Sequence, residues 1–325
     1  MQVLVTTAPF GDPDERPRSR LKDAGIEYLL NPFERKLTES ELRNLVPGVE
    51  VLVAGTEPIT RDVIEAADQL KLICRVGIGL DSVDLNAARE RGIMVTYTPE
   101  APSAAVAELT VGLMLNMLRS IHIANDELHR GVWKRYFGTR LGNSVVGIVG
   151  AGRIGCRVLS HLSGFACQRM LVNDLTIDDS LKSRFSFEYV EKDEIYKSSD
   201  IISLHLPLTP LTRNLIDTEQ LLMMKRSAFL INTSRGGIVN EASLVDALGK
   251  GQLAGAAIDT FEQEPYKGPL AQLTNCLLTA HMGSMSYDCR IRMEIEAAEE
   301  AVRFLRGKCL RQPVPEIEYK NQEVQ

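Results

Sequence analysis

The sequence has few of the residues that mark metal-binding and disulfide-rich proteins. It holds one tryptophan and six cysteines in 325 residues, and no two cysteines have the Cys-x-x-Cys spacing of zinc and redox motifs. Histidine and cysteine do not cluster with ligand spacing either, so we expect no metal site. The thiols are predicted to be free and buried in a reducing cytosol. They are Cys74, Cys156, Cys167, Cys276, Cys289 and Cys309.

An excess of positive charge and long hydrophobic stretches are also missing. The net charge is -6, which does not suit a protein whose partner is nucleic acid, because that binding depends on lysine and arginine. The longest apolar run, 106–118, is interrupted by Glu108 and Asn116 and is shorter than a membrane span requires. The first residues show no basic segment before an apolar core, so no secretory signal is predicted. We therefore expect a cytoplasmic protein without nucleic-acid or membrane partners.

Strand-like and helical patterns alternate along the whole chain. Short apolar runs at 3–5, 49–54, 70–76 and 93–97 are separated by helical patterns, which is the rhythm of βαβ units. A second series of the same kind begins at residue 145. Because 325 residues exceed one ordinary core, two domains are expected. The predicted fold class is α/β, with two doubly wound parallel sheets.

A glycine-rich segment at the start of the second series indicates a dinucleotide site. Gly150, Gly152 and Gly155 follow the apolar run 145–149 and open a helical pattern. Glycines here let backbone amides approach a pyrophosphate, which the helix N-terminus attracts. About twenty residues on, Asp174 ends the next strand, where a carboxylate accepts hydrogen bonds from ribose hydroxyls and repels a 2′-phosphate. NAD is therefore predicted over NADP, with contacts from Gly150, Gly152, Arg153, Ile154, Gly155 and Asp174.

Three further apolar runs each end in an ionisable group. The segments are 231–237, 258–265 and 278–284, and they supply Arg235, Glu264 and His281. Open α/β sheets bind their ligands beyond the carboxyl ends of the strands. Transfer of a hydride to a ketone leaves an alkoxide, and a histidine that titrates near neutrality is the usual proton donor for it. The sequence therefore places candidate catalytic groups at this edge.

Several motifs in one order closely resemble the D-isomer-specific 2-hydroxyacid dehydrogenase family. They are 75–81 (RVGIGLD), 106–110 (VAELT), the glycine segment, 205–209 (HLPLT) and the three segments above. The resemblance covers almost the whole chain and is closest to phosphoglycerate dehydrogenase-like members without a C-terminal regulatory domain. It implies a Rossmann NAD-binding domain inserted into a flavodoxin-like substrate domain.

The resemblance also implies roles for individual residues. His281 would be the general acid/base, Glu264 would hold its ring, and Arg235 would bind the substrate carboxylate. Asp259 corresponds to the position that meets the nicotinamide carboxamide. The remaining cofactor contacts implied are His205, Pro207, Thr212, Thr233 and Gly283. The substrate contacts implied are Arg75, Val76, Gly77, Arg235 and His281.

The boundaries of the two domains follow from the helices that join them. A helix from 104 to about 123 follows two prolines, and Ser103 is predicted to cap it. An amphipathic helix at 288–306 needs a partner surface and is expected to return to the first domain. The predicted division is residues 1–102 for the first part of the substrate domain, 103–285 for the NAD-binding domain, and 286–325 for the returning helix and a tail. Only the tail is expected to be disordered.

The substrate and the assembly stay open at this point. Residues 54–56 lack a basic residue often seen in phosphoglycerate dehydrogenases, and 101–103 replace a common Gly-Asn-Ser, so 3-phosphoglycerate, hydroxypyruvate and glyoxylate remain candidates. A small oxyanion such as phosphite, or a NAD-sensing role like that of corepressor relatives, is the alternative. A homodimer is predicted, because the helix after residue 103 is apolar on more than one face and residues 133–136 resemble a family segment near the dimer contact.

Overall fold

The chain forms two compact units with separate sheets. The structure, a computed structural model, describes residues 2–12 and 14–323. Unit 1 comprises residues 1–102 and 284–325, and unit 2 comprises 103–283. Each described unit holds one parallel sheet with its own apolar core. The predicted α/β class with two parallel-sheet domains is confirmed.

Unit 1 is built on a five-stranded sheet in the order β2-β1-β3-β4-β5 within the described residues. This is the flavodoxin-like order. Every residue of β1, β3 and β4 is buried, because helices cover both faces of a parallel sheet. The strands are β1 Val3–Val5, β2 Tyr28–Leu30, β3 Val51–Ala54, β4 Leu72–Arg75 and β5 Met94–Thr96.

The helices of unit 1 come from both ends of the chain. The long C-terminal helix packs on α1 and on the strands β3 and β4, and its small side chains Ala297, Ala298 and Ala301 are buried there. The helices are α1 Arg16–Lys22, α2 Glu39–Leu45, α3 Arg61–Ala66, α4 Leu85–Glu90, α12 Tyr287–Leu305 and α13 Glu316–Glu323.

The expectation of a disordered C-terminal tail was wrong for residues 316–323, which form α13. Gln322 donates hydrogen bonds from Nε2 to the carbonyl oxygens of Leu80 (3.1 Å) and Val83 (3.0 Å). The Arg89 guanidinium lies 3.9 Å from the ring centroid of Tyr319. These contacts with residues far away in sequence hold a short polar helix that no sequence pattern indicated. Residues 324 and 325 lie outside the described residues.

Unit 2 contains a seven-stranded parallel sheet in the order β12-β11-β10-β9-β6-β7-β8 within the described residues. Counted from β6, the central strands have the Rossmann order, which reverses between β6 and β9. The two-residue strand β8 was not predicted, because it is too short to carry a pattern. The strands are β6 Val145–Val149, β7 Arg169–Asn173, β8 Glu188–Tyr189, β9 Ile201–Leu204, β10 Phe229–Asn232, β11 Gly255–Ile258 and β12 Cys276–Leu278.

Helices fill both faces of this sheet. One core cluster lies under α9, α10 and α11, and another lies under α5 and α7. The helices are α5 Ala101–Arg119, α6 Ile121–His129, α7 Arg153–Ser163, α8 Asp179–Arg184, α9 Lys192–Ser198, α10 Thr218–Met223 and α11 Glu241–Gly249.

The bounds predicted for the helix after residue 103 were wrong at both ends. Helix α5 begins at Ala101 and includes Pro102 in its first turn. Proline is tolerated there because the amides of the first turn have no acceptor within the helix. Ser103 is therefore inside the helix rather than its cap. At the other end, Ser120 adopts a left-handed conformation (φ 50°) and separates α5 from α6.

Helix α5 is apolar but is covered by its own unit. Among the described residues it is the one helix long and apolar enough to cross a membrane, with a mean hydropathy of 1.3, and 61% of that window is buried in the protein. Core helices of soluble proteins meet the same criterion. Met114, Met117 and Leu118 lie in the core of unit 2. The apolar surface of α5 that remains for a dimer contact is therefore smaller than the sequence suggested.

The six cysteines are all free, but they are not all buried. Burial raises the pKa of the Cys74 and Cys276 thiols to about 12 and that of Cys289 to about 11. Cys156 and Cys167 are half-buried, and Cys309 is exposed. The expectation of burial was therefore wrong for Cys309, which follows the end of α12 in a polar turn.

Candidate active site

The candidate residues of unit 2 follow neighbouring strands at one edge of its sheet. The three segments with ionisable groups follow β10, β11 and β12, and the glycine segment and Asp174 follow β6 and β7. His205 follows β9, which lies between these two groups of strands. All these strands are parallel, so their carboxyl ends, and the residues after them, line the same edge.

The glycine segment makes a tight turn between β6 and α7. Gly150 has φ +97°, and a Cβ there would lie 2.3 Å from the carbonyl oxygen of His205. At Gly155 a Cβ would lie 2.0 Å from the Gly150 carbonyl oxygen. Both positions therefore require glycine for packing within the protein. Arg153 and Ile154 form the first turn of α7 between them.

Gly152 differs, because a Cβ there would meet no protein atom within 4 Å. It is the N-cap residue of α7 and provides no side-chain cap, and the positive end of the helix dipole lies at this end of α7. The first turn contains no acidic residue. This end of α7 fits the pyrophosphate of a dinucleotide.

Asp174 directly follows β7, beside this turn. Its Oδ2 accepts a hydrogen bond from the Ala151 amide (2.6 Å), and its Oδ1 accepts one from the Thr176 amide (2.9 Å). A carboxylate has about four acceptor sites, so two remain for ribose hydroxyls. The carboxylate thus ties the glycine turn to β7 and keeps acceptor sites of the kind that ribose hydroxyls need.

The segment after β9 brings His205, Pro207 and Thr212 to the same edge. Burial lowers the pKa of His205 to about 4, so its ring is neutral at pH 7 and fits a structural role. Its Nε2 lies 2.9 Å from the hydroxyl of Ser203, a partner inside the strand that the sequence did not indicate. Thr212 donates its hydroxyl to the Pro207 carbonyl oxygen (2.7 Å) and fixes the turn.

His281 and Glu264 form a direct pair. Both carboxylate oxygens of Glu264 lie 2.9 Å from Nδ1 of His281, and Glu264 Oε1 also accepts the Phe261 amide at 3.2 Å. Because Nδ1 donates to the carboxylate, the other ring nitrogen, Nε2, is left for another partner. The His281 side chain is 36% exposed, and its backbone has φ 48°.

Asp259 holds the segment that carries His281. Its side chain is fully buried and accepts hydrogen bonds from the Thr279 hydroxyl (2.6 Å), the Met282 amide (2.8 Å) and the Gly283 amide (3.0 Å). The His281 amide donates to the Asp259 carbonyl oxygen at 2.8 Å. Asp259 therefore fixes the strand end on both sides of the histidine.

Arg235 stands in a turn that is organised by Asn232. The Asn232 side chain donates to the Arg235 carbonyl oxygen (2.9 Å) and accepts from the Ser234 hydroxyl (2.7 Å). The guanidinium donates to the Ser234 carbonyl oxygen at 2.6 Å. Thr233 is buried and shares a hydrogen bond of 2.8 Å with the Thr110 hydroxyl on α5. Asn232 lies in the segment 231–237 that the sequence singled out, but its role in positioning Arg235 is visible only in the structure.

The candidate substrate contacts of unit 1 lie at the carboxyl end of β4. Arg75 is buried, and its guanidinium donates to the Val76 carbonyl oxygen. Gly77 has φ +139°, and a Cβ there would lie 2.6 Å from Arg75 Nη1. The Gly77 amide donates a hydrogen bond to the Thr98 hydroxyl at 2.7 Å. Glycine is thus needed for the arginine to lie across this turn.

Comparisons with known proteins give the family. Residues 111–283 match the profile of the D-isomer specific 2-hydroxyacid dehydrogenase, NAD binding domain. The chain is 40% identical to a D-3-phosphoglycerate dehydrogenase of Methanocaldococcus jannaschii over 84% of its own length and 53% of the relative's. It is 36% identical to a hydroxypyruvate reductase of Thermotoga maritima over 88% of this chain and 96% of that one.

A crystal structure of a protein from Thermus thermophilus superposes with a TM-score of 0.87 at 35% identity, over 97% of this chain and 100% of that one. The chain spans about half the length of the D-3-phosphoglycerate dehydrogenases of Methanocaldococcus jannaschii and Synechocystis. The matched region is an NAD-binding domain, which agrees with the open N-terminus of α7 and with Asp174. The chain belongs to the D-isomer specific 2-hydroxyacid dehydrogenase family.

Proposed function

We propose that this protein is an NAD-dependent oxidoreductase that interconverts a small D-2-hydroxy acid and its 2-oxo acid. The observation that carries the proposal is the His281–Glu264 pair, with both carboxylate oxygens 2.9 Å from Nδ1, at the sheet edge that also carries the glycine turn. NADH supplies the hydride to C2 of the 2-oxo acid. The chain must then provide one proton for the alkoxide oxygen.

His281 is the proton donor in this proposal. Its Nδ1–H is bound to Glu264, so the proton passes from Nε2 to the substrate oxygen. Glu264 keeps the ring in one orientation and stabilises the charged ring that exists before transfer. In the oxidative direction, Nε2 of the neutral ring accepts the hydroxyl proton.

Arg235 binds the substrate carboxylate. A guanidinium holds a carboxylate through two parallel hydrogen bonds, which fixes the orientation of C2. Arg75 of unit 1 is proposed as a further substrate contact. Val76 and Gly77 stay predicted contacts, but their amides already donate to the Ala54 carbonyl oxygen (2.8 Å) and the Thr98 hydroxyl (2.7 Å). Unit 1 is accordingly proposed as the substrate-binding domain and residues 103–283 as the NAD-binding domain.

We also propose that the protein is a cytoplasmic homodimer. The support is a set of exposed apolar side chains on α6 and in the segment after it. Leu128 is 54% exposed, Trp133 is 79% exposed and Phe137 is fully exposed, and exposed apolar patches mark contact surfaces. Light scattering of the wild type and of Trp133→Glu tests it: a dimer that becomes a monomer is expected, and a monomeric wild type contradicts it.

The catalytic proposal is tested by NADH oxidation with purified protein against glyoxylate, hydroxypyruvate and phosphohydroxypyruvate, with NADPH as the control cofactor. Turnover of at least one 2-oxo acid with NADH preferred is expected. Tight NADH binding without turnover of any of them contradicts the proposal and favours a NAD-sensing role.

A further inference from the structure

We propose that unit 1 carries a binding site for a small molecule with a phosphate or diphosphate group, in a cationic groove at the C-terminal ends of α1 and α12. The groove shares no lining residue with the candidate cofactor and substrate contacts. The proposal therefore goes beyond the proposed dehydrogenase function and does not depend on it.

The groove forms where α1 packs along α12 and where the chain turns back after α12. Its volume is about 330 Å³, which lies at the small end of the range for ligand clefts, about 300–1,000 Å³. Ala24 and Val302 give it a small apolar part. Its five cationic side chains come from both helices and from the turn, and they are Arg20, Arg303, Arg306, Lys308 and Arg311.

The groove is positively charged in a protein that is acidic as a whole. Two acidic residues line it, Asp23 and Glu299, and a third, Glu300, lies 3.9 Å from Nε of Arg303. Three carboxylates thus oppose five cations, which leaves an excess of two positive charges, whereas the whole chain has a net charge of -6. Each helix C-terminus contributes about half a negative charge. The two helix ends therefore offset only part of the excess.

These cations keep hydrogen-bond donors for a ligand. Within the described part of the chain, the side chains of Arg306 and Lys308 form no hydrogen bond or ion pair. Arg20 and Arg311 share one carboxylate, that of Glu299, at 3.3 Å and 3.6 Å. A guanidinium has five N–H donors and an ammonium has three, so most of these donors are available. Phosphate oxygens are strong acceptors for such charged donors.

The turn after α12 is held in place by the protein itself. Gly307 has φ +64°, a left-handed conformation that favours glycine and ends the helix. The Lys308 amide then donates to the Arg303 carbonyl oxygen at 2.8 Å. Further on, the Arg311 amide donates to the buried carboxylate of Glu300 at 2.9 Å. These bonds fix the backbone that carries the cations of the turn, so less conformational freedom is lost when an anion binds.

Isothermal titration of the whole protein with inorganic pyrophosphate tests the site. The titration is made at low ionic strength and with saturating NADH, so that the N-terminus of α7 is occupied. The wild type is expected to bind pyrophosphate with a Kd below about 1 mM, and at least about tenfold more tightly than acetate, which carries one charge. No binding up to that concentration, or equal binding of acetate, overturns the proposal.

The double variant Arg306→Gln/Lys308→Gln assigns the binding to the groove. It is expected to weaken pyrophosphate binding at least about tenfold, because two charged donors are lost. The matched control is Lys197→Gln/Lys250→Gln, which removes two exposed cations of unit 2 that pair with acids of their own helices at 3.6 Å and 2.8 Å. The control is expected to keep the wild-type Kd within about twofold. Equal weakening by both double variants, or by neither, contradicts a site in this groove.

Glu299→Gln is expected to have the opposite effect. It frees Arg20 and Arg311 from the carboxylate that they share, so pyrophosphate binding should become about three- to tenfold tighter. Unchanged or weaker binding in this variant contradicts the proposed arrangement of donors. ADP, titrated in the same way, distinguishes two sources of the phosphate chemistry. Tighter binding of ADP than of pyrophosphate supports a nucleotide as the ligand, and binding that is no tighter supports a phosphorylated compound without a base.

Discussion

Replacing two glycines of the same turn by alanine is expected to impair different properties, cofactor binding for Gly152 and folding for Gly150. In Gly152→Ala the new methyl group meets no protein atom within 4 Å, and the backbone has φ −71°, which alanine adopts freely. In Gly150→Ala the methyl group would lie 2.3 Å from the His205 carbonyl oxygen, in a backbone with φ +97°. The first variant tests cofactor binding, and the second tests folding.

The magnitudes follow from these surroundings. Gly152→Ala is expected to change the free energy of unfolding by less than about 1 kcal/mol, since alanine restricts the unfolded chain but is a poorer N-cap residue than glycine. The methyl group displaces the pyrophosphate from one or two amides at about 1.5–3 kcal/mol each. NADH binding is therefore expected to weaken about 10- to 100-fold or more. Gly150→Ala is expected to cost at least about 2 kcal/mol of stability.

The assay combines urea unfolding with NADH fluorescence titration of both variants and the wild type. The result that refutes the reasoning is a Gly152→Ala protein that binds NADH as tightly as the wild type. In that case the open space beside Gly152 is not the pyrophosphate position, and the assignment of the α7 N-terminus is wrong.

Three further changes give distinct results. Glu264→Gln is expected to lower kcat about 10- to 100-fold with little change in NADH affinity, because the His281 ring loses a charged partner; stopped-flow reduction of hydroxypyruvate measures it, and an unchanged kcat contradicts it. Asp174→Ala is expected to raise the NADPH-to-NADH ratio of kcat/KM at least about tenfold by removing repulsion of the 2′-phosphate, and steady-state kinetics with both cofactors decide it. The pKa of His205 is lowered from 6.5 to about 4 in the folded protein. As the pH falls, the histidine is therefore protonated in the unfolded chain before it is protonated in the folded one. Its contribution to stability is complete above pH 6.5 and is lost as the pH falls toward 4, by up to about 3 kcal/mol. In urea unfolding, His205→Asn should lose less stability between pH 7 and pH 4.5 than the wild type, and equal losses would count against burial of a neutral ring.

Much of the fold was predictable, because parallel strands buried on both faces leave a simple pattern. Apolar runs at 3–5 and 145–149 are strands with the same bounds in the structure. The limits of α5 were less predictable, because a left-handed residue such as Ser120 leaves no composition signal. Helix α13 was missed for another reason: it is held by Gln322 and Tyr319 through contacts with α4 and the turn before it, which depend on tertiary structure.

The candidate site was predictable as a set of residues but not as a set of contacts. Strand ends and motif order pointed to His281 and Glu264, and the structure places them in hydrogen-bond contact. Glu57 is 1% exposed, and its burial was not predictable, because glutamate is rarely buried unless it is paired. The three hydrogen bonds that the Asp259 carboxylate accepts were likewise not predictable, because the positions of the Met282 and Gly283 amides depend on the tertiary structure.

The central claim is that His281 transfers the proton in an NAD-dependent reaction, and His281→Asn tests it most directly. Asparagine tolerates the left-handed backbone at this position (φ 48°) better than alanine does, so the fold is expected to persist. The measurement is NADH oxidation with the best 2-oxo acid, together with NADH affinity by fluorescence. The account predicts a loss of kcat of at least about 1,000-fold with NADH affinity unchanged within about threefold. A variant that keeps turnover within tenfold of the wild type contradicts the account.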